Sequence, residues 1–171
     1  RDGMHFLAAG FKDGTKEEKD AAGRLYLVPR AGGEPVSLTR DGQRVGGHAV
    51  LSADGRKVLY LADDPERKDV KDRDRAEAQG LFVLDVKAGT SVRLAEQPID
   101  ATIVSFCWSP DGKRLAYVWH REAAVPGDRQ DGKTTEYTLV VADADGRNAR
   151  AVASESGPGY GLIFMGSVDW R

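Results

Sequence analysis

The chain has 171 residues, with 25 Lys and Arg against 27 Asp and Glu, a net charge of -2, and 40% hydrophobic residues. That length suits one domain able to bury a core, and the near balance of charge argues against a general attraction to nucleic acid or anionic lipid. No stretch approaches the roughly 20 apolar residues that a membrane helix needs, and no leader pattern opens the sequence, so neither nucleic-acid binding nor membrane insertion is expected.

Read in chain order, short apolar runs alternate with turns. Arg1 and the pair Asp2-Gly3 lead into MHFLAAG, then GRLYLVPRAGG and EPVSLTR. A second set begins with GHAVLSADG, which ends on Asp54-Gly55, and continues with RKVLYLADD, GLFVLDVKAG and TSVRLAE. The third begins with IVSFCWSPDG, which ends on Asp111-Gly112, and continues with KRLAYVWHR, TLVVADADG and RNARAVAS; IFMGSVDWR comes last. Runs of about 4 to 8 residues rich in Val, Leu, Tyr and Phe and bounded by Asp-Gly or Ala-Gly predict strands and hairpins. Gly supplies a positive φ at such turns, and Asp bonds its own backbone two residues on. The one long polar stretch, PERKDVKDRDRAEAQG, has no apolar stripe and reads as a solvated loop or short surface helix. Cys107, the single cysteine, excludes an internal disulfide and reads as a buried small residue within SFCWS.

The sets are copies of one another. LSADGRKVLYL matches WSPDGKRLAYV position by position, and the Asp-Gly pairs set periods of 52 and 57 residues. A third copy is split between the ends, with Trp170 and Asp2-Gly3 standing where Trp108 and Asp111-Gly112 stand. Four antiparallel strands per period, apolar inside and polar outside, predict an all-β fold of β-propeller blades. The blades are expected at about 1–45, 46–100 and 101–157, with 162–171 supplying the inner strand of the first. Trp108 and Trp170, just before the turns, are expected as wedges between blades.

WSPDGKRLAYV followed by LVVADADG resembles the repeat of the TolB-like, WD40-like (PD40) propellers: Trp-Ser-Pro-Asp-Gly, a strand, then a strand ending in Asp-x-x-Gly. The third set matches this pattern, the second departs at Leu51 and Ala53, and the split set carries Arg171 and Arg1 in place of Ser and Pro. The resemblance implies a six-bladed ring and a periplasmic, exported scaffold that binds proteins or peptides through one face and the channel mouth. The alternative it implies is the non-catalytic propeller of a larger enzyme, a serine peptidase or a polysaccharide lyase. Three blades then form either the C-terminal part of a longer propeller or half of a ring closed by a homodimer.

Candidate binding residues follow from where the periods exceed an ordinary blade. The surplus lies between the second and third strands, in FKDGTKEEKDAAG, ADDPERKDVKDRDRAEAQ and HREAAVPGDRQDGKTTE. These insertions are expected on one face as solvated, charged loops, with Asp63 and Asp64 opening the middle one and Arg67, Lys68 and Asp72 within it meeting a charged protein partner. Trp119, beside His120 and Arg121, is expected at the rim as a partner-facing anchor.

No chemistry is expected of the chain itself. It lacks Gly-x-Ser-x-Gly, and SESGPGYG reads as a Gly-Pro connector. His5, His48 and His120 fit no ligand spacing, although His48 is the one nearest the channel, so no metal site is expected. DRQDGK lacks the alternating oxygen ligands of a calcium loop, and AGG and VGG lack the lysine of a phosphate loop, so no cofactor is expected.

Overall fold

A computed structural model describes residues 5–10, 23–39, 43–64, 79–94, 98, 100–124, 133–158 and 170. Three antiparallel sheets follow one another along the chain. Blade 1 is β1 (His5–Gly10), β2 (Arg24–Pro29) and β3 (Val36–Ser37), in that spatial order. Blade 2 is β4 (Val45–Leu51), β5 (Lys57–Asp63), β6 (Gln79–Asp85) and β7 (Thr90–Arg93); blade 3 is β8 (Thr102–Trp108), β9 (Arg114–Ala124), β10 (Lys133–Asp143) and β11 (Arg150–Pro158). Among the described residues there is no helix, and none therefore long and apolar enough to cross a membrane. The Asp2-Gly3 turn and the expected inner strand of blade 1 lie outside the described residues, apart from Trp170.

The first hairpin of blades 2 and 3 closes through one hydrogen-bonded unit, repeated nearly atom for atom. Ser52 Oγ donates to Asp54 Oδ1 at 2.7 Å and accepts from the Lys57 amide at 2.9 Å; Ser109 Oγ donates to Asp111 Oδ1 at 2.7 Å and accepts from the Arg114 amide at 2.9 Å. The amides of Arg56 and Lys113 donate to those same Asp oxygens at 3.0 Å, and Gly55 and Gly112 take φ values of 72° and 67°. Donors converging on each carboxylate, the serine hydroxyl first and the backbone amide next, hold Asp54 and Asp111 below the ordinary value of 3.8. A carboxylate depressed in the folded state contributes stability in full above its unfolded value and loses it as the pH falls through the folded one. The Asp54→Ala/Asp111→Ala variant is therefore expected to unfold at lower urea than the parent at neutral pH, and the gap should close progressively below pH 3.8. A gap that stays constant into acid would dismiss the carboxylates as its cause.

Alternation along the strands then stacks the blades. On blade 2, Leu59, Leu81 and Val83 point to one side and bury against Trp108, Leu115, Tyr117, Trp119, Val140 and Ala142 of blade 3. The intervening Val58, Tyr60, Ala62, Phe82 and Leu84 point to the other side and bury with Leu25 of blade 1. Blade 2 is thus covered on both faces. Burial raises the pKa of the Tyr60 phenol, which donates to Ser91 Oγ at 2.9 Å. Two bonds tie blades 2 and 3 edge to edge: Trp108 Nε1 donates to Val50 O at 3.0 Å, and Lys57 Nζ to Ala144 O at 2.9 Å. Gly146 of blade 3, at φ 82°, lies so close to Leu94 of blade 2 that a Cβ there would stand 2.3 Å from Leu94 Cδ2. Absence of a side chain is what lets these two blades meet.

Candidate partner-binding site

Blade 3 overshoots its neighbour. Strands β9 and β10 have 11 residues each against 7 in β5 and β6, and their ladder runs on to Ala124↔Lys133 where that of blade 2 stops at Asp63↔Gln79. β11 follows the extension as far as Thr134↔Pro158, so a three-stranded tongue projects from the blade. The stretch expected as the loop HREAAVPGDRQDGKTTE is therefore strand at both ends, and SESGP of the expected Gly-Pro connector is the end of β11. The alternation of Thr135, Tyr137 and Leu139 in TTEYTLVV was the available signal for the longer strand.

The tongue has two faces. On one, Arg121 Nε donates to Glu136 Oε2 at 2.7 Å and its guanidinium lies 5.7 Å from the Trp119 ring. Next along that face, Thr138 and Ser154 share a hydrogen bond at 2.8 Å. On the opposite face His120 stacks on Tyr137, centroids 5.5 Å apart and 19° from parallel, and the next rung places Glu155 opposite Tyr137. Buried polar atoms without a partner include Trp119 Nε1 and His120 Nδ1.

These positions revise the anchor assigned to Trp119. Its side chain is 7% exposed and belongs to the core between blades 2 and 3. The reason is register: β9 continues past it, so Trp119 is an interior strand residue facing blade 2. What reaches solvent there are the half-buried Arg121, Glu136 and His120. Arg67, Lys68 and Asp72 lie outside the described residues. Asp63 and Asp64 are not in a solvated loop. Asp63 ends β5, and the Asp64 side chain is 0% exposed, with Oδ2 2.5 Å from Arg93 Nε. Gly80 admits it, since a Cβ there would stand 3.0 Å from the same oxygen.

The outer edge of the tongue is β11, paired with β10 alone among the described strands. Residues 150–156 are all exposed, with Val152 at 46%, and a bulge interrupts the pairing between Leu139 and Val140. By comparison, β7, the outer strand of blade 2, has only four residues. His48 is exposed on β4, edge-on to Phe106 at 4.8 Å. Among the described residues no three His, Cys, Asp or Glu side chains gather as metal ligands.

No family model and no curated protein matches the chain. Solved structures do. A structure described as a TolB from Agrobacterium tumefaciens aligns over 99% of this chain and 51% of its own, with a TM-score of 0.59 and 18% identity. An oligogalacturonate lyase in complex with manganese aligns over 90% of this chain and 39% of its own, with a TM-score of 0.61 and 16% identity. The oligogalacturonate lyase from Vibrio parahaemolyticus aligns over 90% and 37%, with a TM-score of 0.60 and 14% identity. The fold is a TolB-like β-propeller. The chain spans about half the length of the TolB structure and less of the lyases, and at these identities the propeller likeness is one of fold.

Proposed function

We propose that this propeller is a non-enzymatic protein- or peptide-binding scaffold, periplasmic as the TolB-like resemblance implies, and that an extended segment of its partner binds along β11. The observation that carries this reading is the tongue, whose nine-residue edge strand β11 is exposed from Arg150 to Ser156. An exposed edge offers a row of backbone donors and acceptors to an incoming strand, which is the physical basis of β-augmentation. Flanking side chains, the Arg121–Glu136 pair and the His120–Tyr137 stack at the base of the tongue, supply charge and aromatic surface beside it. The charged insertion with Arg67, Lys68 and Asp72 belongs to the same proposal, as a further surface for a charged partner.

Peptides selected from a randomised library on the intact protein test this directly. Binders should be recovered, and Val152→Lys, at an exposed position where substitution shifts stability by no more than about 0.5 kcal/mol, should weaken them at least tenfold. Undiminished binding by Val152→Lys would remove the edge from the site. The alternative, a propeller belonging to a larger enzyme, is favoured by the lyase alignments. It predicts that a longer protein containing this propeller degrades oligogalacturonate while this chain alone does not, whereas the scaffold reading predicts no product from either.

A further inference from the structure

The bulge in β11 brings two opposite charges to one side of the tongue's outer edge. Val141 pairs with Arg150 and Val140 with Ala151, but Leu139 pairs with Ala153, so Val152 is an extra residue with no rung of its own. Side chains alternate across a regular strand, and residues five apart fall on opposite faces. One extra residue cancels that offset. Arg150 and Glu155 therefore stand opposite Val141 and Tyr137, two β10 residues four apart that share a face of the sheet.

Both charges are available to a partner. Arg150, Glu155 and every residue between them are exposed, and among the described residues neither charge has an ion-pair partner. Ala151, Val152, Ala153 and Ser154 between them are small or apolar and carry no charge. The other charged pair of the tongue, Arg121 with Glu136, is already matched and lies on the opposite face. Along the rung of Glu155, Tyr137 stands between it and His120. β11 thus offers a positive side chain near its start, a neutral middle and a negative side chain towards its end.

On the reading that β11 is the binding edge, we infer that its partner is an extended segment with a basic residue followed four residues later by an acidic one, docked antiparallel to β11. Opposite charges directly across a pair of strands attract and like charges repel. The spacing of four is the one β10 already uses to span the bulge from Glu155 to Arg150. Antiparallel pairing is the more stable per residue, and it places the basic residue beside Glu155 first and the acidic one beside Arg150 second. Parallel docking of the same segment would set like charge against like. A slip of one residue would turn both charged side chains to the wrong face, so the two pairs fix direction and register together.

Selection from a randomised library of nine-residue peptides, the length of β11, tests this on the intact parent and on Arg150→Glu/Glu155→Lys. Both positions are exposed, so the variant should keep the circular dichroism of the parent. Binders of the parent should carry Lys or Arg followed four residues later by Asp or Glu, and binders of the variant the reverse order. A parent-selected peptide should bind the variant at least about tenfold more weakly, because two attractions become two repulsions. Exchanging its two charged residues should restore the affinity. Binders that keep one charge order on both proteins, or show none, and are still weakened by Val152→Lys would overturn this inference alone. No binders, or binders indifferent to Val152→Lys, would overturn the edge as the binding site and this inference with it.

Discussion

Trp108→Ala is expected to destabilise the fold by about 3–5 kcal/mol, the range for deleting a buried aromatic side chain. The indole is 8% exposed and sits among Leu59, Leu115 and Tyr117, where blades 2 and 3 share their core. Truncation removes the packing of a residue that no neighbour can replace without moving a strand, and it also leaves Val50 O without the Nε1 donor at 3.0 Å. Trp108→Phe separates the two contributions. It keeps most of the ring volume and loses the hydrogen bond, for which about 1 kcal/mol is the ordinary net value, with added loss from the smaller ring. Urea unfolding at neutral pH measures both variants. A cost below about 1 kcal/mol for Trp108→Ala would mean that the residue is no wedge, since core truncations of this size do not fall so low.

Arg93→Ala is expected to cost nearly as much, for an electrostatic reason. Asp64 is fully enclosed, with Arg93 Nε 2.5 Å from its Oδ2, while the Arg93 side chain keeps 21% of its exposure. Removing one partner of a buried ion pair typically costs 3–5 kcal/mol, because the remaining charge stays desolvated. Solvent access on the arginine side places the expected loss at the lower end, about 3 kcal/mol. The diagnostic result is the double variant Arg93→Ala/Asp64→Asn. Neutralising the carboxylate takes away the charge that needed the guanidinium, so the double variant should be more stable than Arg93→Ala alone. Additive losses would instead show that Arg93 acts through packing of its stem.

Chemistry confined to neighbouring residues was readable in the sequence. Ser52-Ala53-Asp54-Gly55 and Ser109-Pro110-Asp111-Gly112 fold through bonds that span at most five residues, so their recurrence gave the hairpins and the repeat together. The apolar run from Val58 to Ala62, bounded by polar residues, likewise pointed to a strand. What could not be read depends on partners far along the chain. Asp64 looked like the start of a solvated loop because the group that buries it lies 29 residues away. Trp119 looked like a rim residue because its burial is set by the face that blade 2 covers. The extension of β9 and β10 was hidden for a different reason: its rungs, Arg121, Glu122, Thr135 and Glu136 among them, are polar, and a ladder of backbone hydrogen bonds asks for no apolar side chain.

The stacking of single blades also sets how the native protein opens. In an array where each unit touches only its neighbours, opening free energy is largest for the unit flanked on both sides and smaller for the terminal ones. Blade 2 is that unit, so the amides of β5 and β6 should be the slowest to exchange with solvent, and those of β2 and β10 faster. Proteolytic cleavage of the native chain would then begin in the terminal blades, and whatever covers them would slow both processes without touching the residues being cut.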